Sequence, residues 1–179
     1  VTDTGGTTIQ CRFRGMRLNE GAKFVVQFNA SAASVETRSG APADTSERVL
    51  VNISARGRVV SAGDSLVAGF VIAGKSPRTL LMRAVGPSLA AFGVTDAITL
   101  PMISLYRGSS LVASNENWGL LDAPRLTAAF DRVGAFRLSG AESRDAALLL
   151  TLEPGAYTVQ ASNLARTAGS VLLEVYEVP

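Results

Sequence analysis

The sequence predicts an all-β protein: an antiparallel β-sandwich, jelly-roll-like, with one short inserted helix and an N-terminal arm of two strands. Short runs alternating apolar and polar residues recur along the chain, turn residues separate them, and no strand-helix-strand pattern repeats. The composition agrees, because 47% apolar and 18% charged residues with 17 Gly and 7 Pro suit a loop-rich β protein.

Residues 1–30 read as the arm. Thr7 to Phe13 and Lys23 to Asn29 both alternate, with Ile9, Cys11 and Phe13 on one face of the first run and Phe24, Val26 and Phe28 on one face of the second. Two strands alone are marginal in water, so the arm needs a host sheet. Residues 31–47 are small, polar and broken by Gly40 and Pro42, which is linker chemistry. The sandwich is expected over residues 48–179.

Its strands are expected at Arg48 to Ser54, Arg56 to Val60, Leu66 to Ile72 and Arg78 to Val85, with one helical turn at Ser88 to Gly93. Met102 to Tyr106 and Ser110 to Ser114 form a hairpin about Arg107-Gly108-Ser109. A helix follows. Asp122 caps it, Pro124 sits in its first turn, Leu126, Ala129, Phe130 and Val133 share a face, and Gly134 ends it. Ala146 to Leu152, Tyr157 to Ser162 and Ser170 to Val178, turned by Glu153-Pro154-Gly155, are expected as a three-stranded meander. Tyr157, Val159, Val171, Leu173 and Val175 then point into the core.

The chain holds no His and one Cys, Cys11. Ser-His-Asp and Cys-His mechanisms, ordinary zinc sites and intramolecular disulfides each require residues this chain lacks, so no enzyme activity and no cofactor are predicted. Carboxylates for glycoside hydrolysis would come from Asp64, Asp96, Glu116, Asp122, Asp131, Glu142 and Asp145, whose spacing shows no pairing. A net charge of +2 with dispersed Arg gives nucleic-acid binding little support, and no run is long enough to insert in a membrane. The sequence begins at Val1 without a charged and apolar leader, so any export signal is expected to have been removed or to lie outside this sequence.

Three local patterns invite a ligand. Gly69 to Ser76 fits G-x-x-x-x-G-K-S, but Phe70-Val71-Ile72 reads as strand and Pro77 precedes another strand, so the helix a phosphate loop requires is missing. Ser114-Asn115-Glu116-Asn117-Trp118 places polar groups beside the single Trp. There Trp118, with Tyr106, Asn115 and Asn117, is a candidate glycan contact, and Glu116 is the Ca²⁺ candidate, although it alone carries charge. The alternative is that Trp118 packs and closes one end of the sandwich. Arg56-Gly57-Arg58 has the chemistry to hold a carboxylate or an anionic glycan, or to form a solvated face.

Arg48 to Val59, Ala68 to Ile72, Leu81 to Leu89, Asn115-Glu116-Asn117-Trp118, Pro154 to Thr158 and Glu174-Val175-Tyr176-Glu177, taken together, resemble an uncharacterised C-terminal module of large exported proteins of Verrucomicrobia-type bacteria. The last hairpin is also similar, more weakly, to bacterial pre-peptidase C-terminal β-sandwiches. The resemblance implies an exported, non-catalytic accessory role at the cell surface or outside the cell, and it brings no active-site residues.

Two functions therefore stand. One is a structural module of a surface fibre or matrix, whose arm adds a strand to copies of itself or to neighbouring domains of its parent protein. The other is a carbohydrate-binding accessory module for polysaccharide.

Overall fold

The computed structural model describes residues 52–60, 62–72 and 74–179. The arm, with Ile9, Cys11, Phe13, Phe24, Val26 and Phe28, and the linker both lie outside the described residues.

Eight strands form two antiparallel sheets of four. They are β1 (Asn52–Val59), β2 (Ser65–Ile72), β3 (Arg78–Val85), β4 (Pro101–Arg107), β5 (Ser110–Asn115), β6 (Ala146–Leu152), β7 (Gly155–Asn163) and β8 (Gly169–Glu177). The first sheet runs β1-β8-β3-β6 and the second β2-β7-β4-β5. This order is that of a jelly roll, two Greek keys folded together, so the predicted fold class holds.

The expected meander is corrected. β6, β7 and β8 follow one another in sequence, yet β7 pairs with β2 and β4 in the second sheet, while β8 pairs with β1 and β3 in the first. The turn at Glu153-Pro154 carries the chain across the sandwich. Turn chemistry gives the reversal, and the distant partner strands decide which sheet receives the next segment. The 107–109 hairpin is local, as expected, and a bulge between Leu105 and Tyr106 shifts its register.

Alternation places the core. Ile53 and Val59 of β1, Leu66, Phe70 and Ile72 of β2, Ile103 and Leu105 of β4 and the five predicted inward residues of β7 and β8 meet between the sheets. Phe70 stacks on Tyr157 with ring centres 5.6 Å apart. Gly57 brings β1 close to β2, since a Cβ there would lie 2.9 Å from a Leu66 methyl.

A second core covers the outer face of the first sheet. α1 (Gly119–Val133) crosses between β5 and β6 in sequence and is bent at Asp122, whose Oδ1 accepts from the Arg125 amide 3.2 Å away. Asp122 thus caps the longer part of the helix. Gly134 closes it in the left-handed conformation (φ 67°). Leu126, Ala129 and Phe130 pack with Val133 on Leu81, Val85, Ala147 and Tyr176 of the sheet. β3 is therefore buried on both faces.

Inside that second core sits an ion pair. Arg83 of β3 stands opposite Glu174 of β8, and their side chains are 0% and 5% exposed. The Arg83 Nε donates to Glu174 Oε2 at 2.9 Å, Nη2 donates to the same oxygen, and Nη1 donates to the Phe136 carbonyl. Rings of Phe136, Phe130 and Tyr176 lie 4.4, 5.0 and 5.8 Å from the guanidinium carbon. The Tyr176 hydroxyl donates to the other Glu174 oxygen at 2.7 Å.

Removing one partner strands a buried charge. Glu174→Ala should cost about 3–5 kcal/mol in denaturant unfolding, while Arg83→Met with Glu174→Leu should recover most of the loss. Burial first, and then the Glu174 charge, raise the Tyr176 hydroxyl above the ordinary tyrosine pKa. A raised folded pKa contributes stability that is fully present below the unfolded value of about 10 and is lost as pH rises through the folded value. Thermal unfolding followed upward from that pH should show wild type losing stability faster than Tyr176→Phe.

Candidate functional site

The carboxylates come first, because carboxylate chemistry is the catalysis this composition leaves open. Asp64 accepts from the Val60 and Ser65 amides, Asp96 pairs with Arg58 and Ser170, Asp122 caps α1, and Asp131 pairs with Arg137. Each holds a turn, a strand end or a helix.

Asp145, fully buried, is the most heavily used of them. Its carboxylate accepts from the Gly86 amide at 2.8 Å, from the Ser88 amide and from the hydroxyls of Ser88 and Ser143, while its carbonyl accepts from the Trp118 amide. It ties the 3-10 turn Pro87–Phe92, the loop before β6 and the start of α1 into one corner. Four donors on one carboxylate fix a corner and leave it no free lone pair for a substrate.

Trp118 is 4% exposed and tilts against Phe130, with centroids 5.5 Å apart. Its ring belongs to the second core, and its small exposed part lines a groove with Ala123, Pro124, Thr127 and Arg137. The indole Nε1 is buried and has no hydrogen-bond partner among the described residues. Asn115 is also committed: its Oδ1 accepts from the Ala147 amide of β6 at 3.0 Å, and its Nδ2 donates to the Asn117 carbonyl. Asn117 Oδ1 accepts from Gly119. Glu116 is exposed, and no group of three metal-ligating side chains occurs among the described residues. The two Asn oxygens a Ca²⁺ ion would need already hold backbone.

Tyr106 does not join that cluster. It lies opposite Leu111 at the turn end of the hairpin, whereas Asn115 lies opposite Ile103, about 10 Å away along the strand. Ile103 faces the core and Tyr106 the other side, so the four predicted glycan residues fall into two places. The phosphate-loop pattern is also accounted for: Gly69 to Ile72 form the end of β2, with Phe70 in the core, and the next element is strand β3.

What the fold leaves open is edge and face. Arg56 and Arg58 are exposed on the edge strand β1 and line an open groove with Thr95, Asp96 and Ser170, where Arg58 is paired to Asp96. β6 is partly closed by Asn115. β5 is different: it is a six-residue edge strand, bulged, with Leu111 and Val112 55% and 45% exposed. Among the described residues no strand pairs with its outer backbone groups, and an exposed apolar edge of this kind is a template for pairing. A long polar sequence would have been read as a closed edge, and the exposed Leu111-Val112 pair was the available signal.

No family model matches this chain, and no curated protein does. Among solved structures it is similar to the pre-peptidase C-terminal domain of a collagenase from Bacillus anthracis, with 12% sequence identity and a TM-score of 0.43, over 70% of this chain and 89% of that one. The likeness to the Verrucomicrobia-type module rests on sequence motifs alone.

Asn115→Ala leaves the Ala147 amide without its acceptor, and should cost about 1–3 kcal/mol in thermal or denaturant unfolding. A Glu116→Gln chain should keep the wild-type melting temperature with or without added Ca²⁺.

Proposed function

We propose that this chain is a non-enzymatic accessory module of an exported protein, docking to copies of itself or to neighbouring domains when residues 1–30 add a strand to the open edge of β5. The reading is supported by one observation above others: among the described residues each sheet has its four strands, and none of them pairs with the outer edge of β5, which carries exposed Leu111 and Val112. An arm with Phe24, Val26 and Phe28 on one face is a chemically matched strand for such an edge.

Reach is adequate. Residues 31–47 span about 55 Å when extended, more than the width of a four-stranded sheet. Main-chain hydrogen bonds supply the affinity, and alternate side chains of the arm set the register. The structural roles of Asp64, Asp96, Asp122, Asp131 and Asp145 agree with a module that performs no chemistry.

Light scattering on the full chain is the test. The full chain should show a mass that rises with concentration, and both deletion of residues 1–30 and Val112→Lys in the full chain should return it to a monomer with the melting temperature kept. Equal monomers in all three cases, with equal thermal stability, would count against strand addition.

A further inference from the structure

The outer face of the second sheet is laid out in rows by its register. Ser65, Ser162 and Met102 form one row; Val67, Gln160, Ser104 and Ser114 a second; Gly69, Thr158, Tyr106 and Leu111 a third; Val71 and Ala156 a fourth. Their neighbours in sequence, Leu66, Ala68, Phe70, Ile103, Leu105, Val159 and Ala161, fill the core, so these residues point the other way. None of them carries a charge.

That is unusual for a wet sheet face. The outward positions of β1 include Arg56 and Arg58, and the outer face of the first sheet is covered by α1. On the second sheet Arg107, next to the face, turns toward the end of the sandwich, where its Nη2 donates to the Pro154 carbonyl and its guanidinium lies 5.7 Å from the Tyr157 ring centre.

We infer that this face is a binding platform for a neutral polysaccharide, with Tyr106 as the stacking ring and Thr158, Gln160 and Ser114 as hydrogen-bonding partners for sugar hydroxyls, while Ser104, 5% exposed, lies beneath them. Charge selects the partner class. An anionic polymer would meet no counter-charge on the face, and a protein-docking core is richer in aromatic and Arg side chains than this one. Hydroxyl and amide groups around a single half-buried Tyr match a ring that has apolar faces and a hydroxyl rim. Four strands at about 4.8 Å spacing give a platform about 14 Å across, the scale of an oligosaccharide. The platform shares Leu111 and Ser114 of β5 with the edge assigned to the arm, but uses their outward side chains and not the outer backbone groups of that strand.

Native affinity electrophoresis of the full chain through galactomannan or xyloglucan gels tests the inference, with alginate as the anionic comparison. The full chain should be retarded by at least one neutral gel and not by alginate. Tyr106→Ala should weaken the retention about tenfold. Thr158→Lys and Gln160→Lys alter only outward side chains, and both should abolish retention while leaving the melting temperature and the light-scattering mass as in wild type. Retention confined to alginate, no retention in either neutral gel, retention unchanged in both lysine variants, or a lysine variant that changes the oligomeric mass instead would each overturn the proposal. Because the arm is intact in every variant, failure of strand addition would show in the mass and not in the gel.

Discussion

The Arg83–Glu174 pair can exist only if the first sheet is sealed on its outer side. A guanidinium and a carboxylate removed from water require each other, further hydrogen bonds and low-dielectric walls, and here Phe136, Phe130 and Tyr176 provide the walls while the Phe136 carbonyl and Tyr176 hydroxyl complete the hydrogen bonding. Those aromatic groups come from α1, the segment after it and β8. The pair therefore couples the helix, the loop and the two central strands of the first sheet.

This sealing makes the sandwich asymmetric. α1 and its loop occupy one outer face, with Asp145 pinning the corner where they leave the sheet. The second sheet has no such cover among the described residues. Its outward rows and the edge of β5 are the surfaces on which the proposals above rest, and Asp64, Asp96, Asp122, Asp131 and Asp145 hold turns, strand ends and the helix.

Period-two alternation was enough to orient β7 and β8, and local cap and turn residues placed α1 and the 107–109 hairpin. Sheet membership was not legible for β6, β7 and β8, because a turn fixes where the chain reverses and long-range pairing fixes what it reverses onto. Arg83 and Glu174 were passed over, although each lies inside an apolar run, Leu80-Leu81-Met82-Arg83-Ala84-Val85 and Val171-Leu172-Leu173-Glu174-Val175-Tyr176. Runs without alternation mark strands buried on both faces, and two opposite charges in two such runs are a signal for a buried pair. The polar neighbours of Trp118 left both a stacking and a packing reading open in sequence, and Asn115 and Asn117 turn inward to satisfy backbone groups around it.

Amide hydrogen exchange across β5 probes the use of the open edge most directly. In the full chain, the amides of Leu111 to Asn115 should become protected as concentration rises and lose that protection on dilution, while β3 and β8 stay protected throughout. Exchange across β5 at one rate at every concentration would contradict a strand-accepting edge.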